Sequence, residues 1–168
     1  PNAHVCPACC GMPGMLPVVN KRVVDFGMQA GMMLGCDINR TTTFDKKSYY
    51  YPDLPAAYQT TQWFAPVAVN GTVEIETSAG KKKVRIKQIH MEEDAGKLVH
   101  DIREDTTHVD FNRTSVPLIE IVSQPDLSGA EEVEAYLERL KELLRYAKVA
   151  ECEMAHGTMR CDVNLSVK

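Results

Sequence analysis

Apolar side chains recur three and four residues apart at Val133, Tyr136, Leu137, Leu140, Leu143, Leu144 and Ala147, the spacing that lines one face of an α-helix. Ser128 and Glu131 stand ahead of this run as a capping box, so the pattern predicts a helix reaching about Ala147. Glu138, Arg139, Lys141 and Glu142 would form its solvated side. A second helix is expected from an Asn20 cap to about Leu34, closed by Gly35. Val24, Met28, Gly31 or Met32, and Gly35 share one side of it, and its methionines read as core filling.

Alternating stretches predict strands elsewhere. Ala65–Val69 and Thr72–Glu76 flank Asn70-Gly71, a pair suited to a type I′ hairpin turn. Val84 and Ile86 alternate with lysines after a Ser-Ala-Gly turn, and His108–Phe111 and Val116–Val122 are further strands. The run Cys161–Val167 alternates too, with Asp162, Asn164 and Ser166 on one face and Val163, Leu165 and Val167 on the other. Residues 6–19 are rich in turn formers, and 41–62 carry no defensible period. Mixed strands with two main helices predict an α+β fold around an antiparallel or mixed sheet.

The 168 residues include 44% apolar and 25% charged side chains, the proportions of an ordinary globular domain, with no apolar run long enough to span a membrane. A net charge of −4 argues against a broad basic face for nucleic acid. The chain starts at Pro1 and stops inside an alternating run, so both ends are expected to be cuts within a longer protein. Phosphate-binding glycine loops and serine amidase signatures are absent.

Glu120, the His90 block and the polar face of the 161–167 run break the pattern of a plain core, and a cysteine pair adds a separate candidate. Glu120 interrupts the apolar strand 117–122, and must face a wet cleft or find a cation. His90-Met-Glu-Glu-Asp-Ala-Gly96 places three acids beside a histidine, which suits either a solvated loop or a hard divalent cation. Cys6 and Cys9 form a CxxC, half of a tetrahedral zinc site, with a redox dithiol or inert thiols as the competing readings. Lys46, Lys47 and Arg160 are available to phosphate.

Six ordered blocks carry a resemblance over nearly the whole chain. They are Cys6–Cys9, Gly14–Asn20, Phe44–Asp53, Ile89–Lys97, Pro117–Asp126 and Gly157–Asn164. Together they resemble the GatB component of the aspartyl/glutamyl-tRNA amidotransferases and its GatE relatives. The resemblance implies that residues 1–168 form one partial domain, interior to a catalytic cradle similar to glutamine synthetase. In that reading the helical and tail regions that grip tRNA lie outside the chain. It implies ATP- and Mg²⁺-dependent phosphorylation of the side-chain carboxylate of Glu on tRNA(Gln) or Asp on tRNA(Asn). Ammonia from glutamine then displaces the phosphate.

Position by position, the resemblance places Glu93 and Glu120 at Mg²⁺, with Glu92 a neighbour and His90 behind them. Lys47 would face phosphate, with Arg160, Asp162 and Asn164 in the same ATP pocket. Cys6 and Cys9 would be half of a Zn²⁺ site whose other cysteines lie upstream, as do a Glu and a His of the metal site. The implied partners are the amidase and the small third component of the GatCAB heterotrimer, or an asparaginase-like partner for the GatE type. Mischarged tRNA joins them, and no membrane is implied. The implied location is the cytoplasm or an organelle matrix, and the fragment alone is expected to be inactive. The rival readings are a non-catalytic scaffold within such an assembly and a zinc-dependent RNA-binding module.

Overall fold

The computed structural model describes residues 3–101, 103 and 105–167. Among these, α1 (Lys21–Met33) is followed by β1 (Asp37–Ile38), β2 (Asp45–Ser48), β3 (Tyr58–Thr61), β4 (Ala68–Thr77) and β5 (Gly80–Glu93). Then come β6 (Lys97–Asp101), β7 (Thr106–Asp110), β8 (Pro117–Ser123), α2 (Ala130–Tyr146) and a 3₁₀ turn at Met154–His156. A four-stranded sheet in the order β1-β4-β5-β8 is antiparallel throughout, and β2-β3 and β6-β7 are separate antiparallel pairs. The class is α+β.

Helix α1 begins and ends where its sequence signals lie. Asn20 accepts the Arg22 N–H at 2.9 Å, and Gly35 adopts φ +65°. The Cys36 N–H then reaches the Gly31 carbonyl at 2.8 Å, and the Gly35 N–H reaches that of Met32, a Schellman closure. The expected side is borne out in part: Gly31 is buried and Val24 and Met28 pack half-buried against the core, while Gly35 is exposed and Met32 is 63% exposed. The fully buried positions are Gly27, Ala30, Gly31 and Leu34. Small residues win because the helix lies close on the sheet: a Cβ on Gly31 would sit 2.6 Å from Ile38 Cδ1 and 2.8 Å from the Ala68 Cβ.

In α2, Tyr136, Leu140 and Leu144 are buried as the period predicts. Its start is one residue later than the expected capping box. Gly129 is the cap, Glu132 accepts both the Ser128 N–H and hydroxyl, and Glu131 instead accepts from Ser78 at the β4–β5 turn. Both helices cover one face of the sheet, closing a core of Leu34, Val73, Ile75, Val84, Ile86, Ile89, Met91, Tyr136 and Leu140.

The hairpin expected at Asn70-Gly71 is not formed. Strand β4 runs straight through it, and the chain reverses at Ser78-Ala79, between the paired Thr77 and Gly80. Gly71 serves close approach rather than a turn, since a Cβ there would meet Cys36 Sγ at 2.4 Å and the Leu34 carbonyl oxygen at 2.8 Å. Asn70, at φ +60°, lies where the sheet bends, opposite a register shift beside Lys87. Across this bend the core positions change parity. Gly71, Val73 and Ile75 with Val84 and Ile86 face the helices on one side, and Ala68 with Ile89 and Met91 on the other. His90 and Glu92 are thereby turned to the face away from the helices.

The strand expected at 161–167 forms no ladder among the described residues, and those residues are exposed, with Leu165 at 85%. Alternation marks which face a strand would bury; it cannot supply the neighbour whose backbone completes it.

Candidate functional site

Past Ile89, β5 outruns β4, whose pairing ends at Ala68. The exposed backbone edge takes its partners from the β2–β3 pair instead. The Met91 N–H donates to Gln62 Oε1 at 3.1 Å, and Gln59 Nε2 donates to the Glu93 carbonyl at 2.7 Å. Both glutamines are buried, as polar groups that finish another segment's hydrogen bonds must be. Glu93 completes this seam, its Oε2 accepting the Thr60 N–H at 2.8 Å. Tyr49 donates to Gln59 Oε1 at 2.9 Å, and Lys46 stacks on the Tyr58 ring at 4.4 Å.

That seam hangs Lys47 over the other face of β5. Its Nζ lies 3.4 Å from Glu92 Oε1. Glu120 stands in register opposite His90 on β8, and its Oε2 is 2.9 Å from His90 Nε2. Glu92 Oε2 is 3.8 Å from the same nitrogen. Gln88 Nε2 sits 3.3 Å from His90 Nδ1. Burial works against a charged His90, but hydrogen bonding and attraction from Glu120 and Glu92 outweigh it and lift the imidazole to about 9. Glu120 is held below the ordinary carboxyl range, chiefly by its hydrogen bond to His90.

Of the two expectations for Glu120, the structure shows a partner: the carboxylate is half exposed on the face away from the helices and lies against the His90 imidazole. The expected pairing of Glu93 with Glu120 is not what the strand geometry brings together. Consecutive residues of a strand face opposite ways, so Glu92 joins His90 and Glu120 while Glu93 turns toward β3. A parity count along β5 puts Glu92 on the face of His90; that this face also carries Glu120 depends on the β5–β8 register.

One ligand atom from each of His90, Glu92 and Glu120 falls within a mutual 4.8 Å. Opposite ligands of a Mg²⁺ ion stand about 4.2 Å apart, so a small closure would let the two carboxylates share one ion. The donor chemistry also fits: carboxylate oxygens suit a hard cation, and the imidazole can hold one of them in place.

Beyond the strand end, Asp94 is 5% exposed and gathers two guanidinium groups. Arg160 reaches its Oδ1 at 2.6 Å and Arg113 its Oδ2 at 3.0 Å, and the Ala95 N–H adds a third contact at 3.0 Å. Asp162 and Asn164 lie on the exposed tail, and among the described residues no contact joins them to this cluster.

The CxxC forms a tight turn, with the Cys10 N–H on the Cys6 carbonyl at 3.1 Å and the two sulfurs 3.3 Å apart. Hydrogen bonds from the Cys9 backbone and thiol draw Cys6 below its ordinary value. A backbone bond from Cys6 favours the Cys9 thiolate, but burial and the nearby Cys6 and Glu93 charges prevail and push it up. Two thiols at this separation can share one tetrahedral ion, and they supply half of the four ligands a structural zinc takes.

A carboxylate–imidazole cluster thus lies on the face of the antiparallel sheet away from the helices, with Lys47 beside Glu92, in an α+β domain. The family model described as "GatB/GatE catalytic domain" matches residues 1–168. The B component of an aspartyl/glutamyl-tRNA(Asn/Gln) amidotransferase from Lachnoclostridium phytofermentans is 58% identical over 99% of the chain and 35% of its own length. Proteins of the same name from Agathobacter rectalis and Caldicellulosiruptor bescii are 55% and 52% identical over all of the chain and 35% of theirs. The chain belongs to the GatB/GatE family, and spans about a third of the length of these relatives.

Proposed function

We propose that this chain is part of the kinase centre of a tRNA-dependent amidotransferase, within a glutamine synthetase-like catalytic cradle. Its substrates would be ATP and the side-chain carboxylate of Glu on tRNA(Gln) or Asp on tRNA(Asn). The observation that carries the reading is the meeting of Glu92 and Glu120 at His90, on a strand face left uncovered by helices, with Lys47 3.4 Å from Glu92.

A carboxylate is inert to ammonia because its leaving group would be an oxide. Transfer of the γ-phosphoryl group from ATP to a carboxylate oxygen releases ADP and yields an acyl phosphate. Ammonia then adds at the carbonyl carbon, inorganic phosphate departs with the C–O electron pair, one proton is lost, and the amide remains. In such transfers the protein's work is positioning and charge stabilisation.

Glu92 and Glu120 are the residues that would hold Mg²⁺, which when bound supplies positive charge to the phosphate oxygens. His90 donates to Glu120 and fixes its orientation. Lys47 offers an ammonium beside the same carboxylates, where a phosphate would approach. Glu93 anchors the hairpin that carries Lys47. Arg160 lies with Asp94, on the side where β5 ends, and would meet the more distant phosphates; Asp162 and Asn164 follow it on the tail. Cys6 and Cys9 would hold a structural Zn²⁺ with two further ligands. The relatives' name makes each of them one component of a larger amidotransferase. It supports assembly with an ammonia-supplying amidase and a small third component, and translation as the process served.

The test uses the full-length protein with its assembly partners, ATP, glutamine and mischarged Glu-tRNA(Gln). Glu120→Gln should abolish transfer of phosphate to the tRNA-bound glutamate while glutamine hydrolysis by the partner continues. Unchanged phosphate transfer would make Glu120 a structural partner of His90 and reject the reading.

A further inference from the structure

The cluster around Asp94 carries more charge than a structural staple needs. One buried carboxylate is neutralised by one cation, and here two guanidinium groups converge on it, leaving an excess positive charge. Asp94 is nearly sealed, its side chain 6% exposed, whereas those of Arg113 and Arg160 are 40% and 63% exposed. The arginines spend little of their bonding capacity on it. Arg113 uses Nε and Arg160 one terminal nitrogen, out of the five N–H donors that each group owns. The carboxylate is consumed from behind, by both guanidiniums and the Ala95 N–H, and cannot itself take up a metal or a proton donor from solvent.

The backbone around it is equally fixed. The Asp94 N–H donates to the Val116 carbonyl and its own carbonyl accepts the Ser115 N–H, both at 2.8 Å, with Ser115 at φ +60°. Gly96 follows where a Cβ would lie 3.0 Å from the carbonyl oxygens of both Asp53 and Asp110. Asp94 is the first residue beyond β5, two residues after Glu92, so the two backbones lie within about 7 Å of each other.

We infer that Arg113 is a phosphate-binding residue of the nucleotide site, and that Asp94 is the positioning residue that holds Arg113 and Arg160 side by side toward the anion. The inference rests on the kinase reading and extends it to residues outside the carboxylate cluster. A buried carboxylate behind paired guanidiniums fixes their planes, so that the outward N–H groups meet phosphate oxygens without first being ordered.

The experiment measures KM for ATP and kcat for tRNA-bound glutamate amidation in the full-length assembled enzyme, for Arg113→Gln, Arg113→Lys, Asp94→Asn and Glu120→Gln. Arg113 is partly exposed, so Arg113→Gln should fold. Its KM for ATP is expected to rise about tenfold or more, the loss typical of one charge-assisted contact, with a smaller change in kcat. Arg113→Lys should recover part of this, and Asp94→Asn should raise the same KM while glutamine hydrolysis stays unchanged. An unaltered KM in Arg113→Gln beside a dead Glu120→Gln overturns the arginine assignment alone. A lowered melting temperature in Asp94→Asn without a change in KM reduces Asp94 to a staple and overturns its positioning role. Full turnover in Glu120→Gln overturns the kinase reading itself, whatever the arginine variants do.

Discussion

Glu92 and Glu93 are adjacent in the chain and work on opposite sides of one strand: Glu92 Oε2 lies 3.8 Å from His90 Nε2, and Glu93 Oε2 accepts the Thr60 N–H at 2.8 Å. The pair divides the labour of the site. Glu92 supplies charge to the cluster, and Glu93 ties down the hairpin that brings Lys47 to it.

Removing the tie should therefore act at a distance. Glu93→Ala leaves the Thr60 N–H without its acceptor while the seam's other bonds remain, at a cost of about 1–3 kcal/mol. Thermal melts of the full-length protein should show the loss. KM for ATP should rise as well, because Lys47 rides on that hairpin, and a KM equal to wild type would separate the hairpin from the site.

The metal-free protein should lose stability as the solution turns alkaline. His90 is raised from an ordinary value near 6.5 to about 9, so its contribution is fully present below pH 6.5 and is lost as pH rises through 9. Glu120, lowered by the same contact, contributes above its ordinary pKa and loses that contribution on acidification. Melting temperatures recorded in chelator from pH 6 to 9.5 should fall across that window, and His90→Asn should flatten the slope. An equally steep slope in the variant would assign the effect to other groups.

The chain leaving α1 crosses β4 so closely that Gly71 is hard to replace. Gly71→Ala would drive a Cβ to 2.4 Å from Cys36 Sγ and 2.8 Å from a backbone oxygen, and should cost about 1–3 kcal/mol or more. Gly129→Ala, with open space at its Cβ and an ordinary extended backbone, should cost less, about 1 kcal/mol or below from the poorer helix cap. Urea titrations of the two variants compare them directly.

Thiol chemistry should follow the same local rules. In zinc-free protein Cys6, exposed and drawn down by its hydrogen bonds, should react with iodoacetamide well before Cys152, which is buried and pushed up by that burial. Peptide mapping after brief labelling reads the order, and faster labelling of Cys152 would contradict the packing around it.

Local signals made much of this fold legible. Asn20 and Gly35 close α1 as their chemistry requires, the α2 period buries Tyr136, Leu140 and Leu144, and the alternation at 116–122 becomes β8. What stayed hidden depends on neighbours distant in sequence. Asn70-Gly71 has the composition of a turn, but its glycine is needed where Cys36 and Leu34 cross β4. The β2–β3 pair has no period, because Gln59 and Gln62 are buried for their hydrogen bonds rather than their apolarity. At the site, Glu120 announced itself as a carboxylate in an apolar strand. Which of Glu92 and Glu93 shares a face with Glu120 depends on the register of β5 against β8, which a motif block does not carry.

The most direct test of the account is titration of the full-length protein with Mn²⁺, a spectroscopic stand-in for Mg²⁺, followed by electron paramagnetic resonance. Wild type, Glu92→Gln, Glu93→Gln and Glu120→Gln would be compared at pH 7.5. Loss of the bound ion in Glu92→Gln and Glu120→Gln, with retention in Glu93→Gln, is the predicted result. Retention in Glu92→Gln together with loss in Glu93→Gln would contradict the assignment of the site to the His90 face of β5.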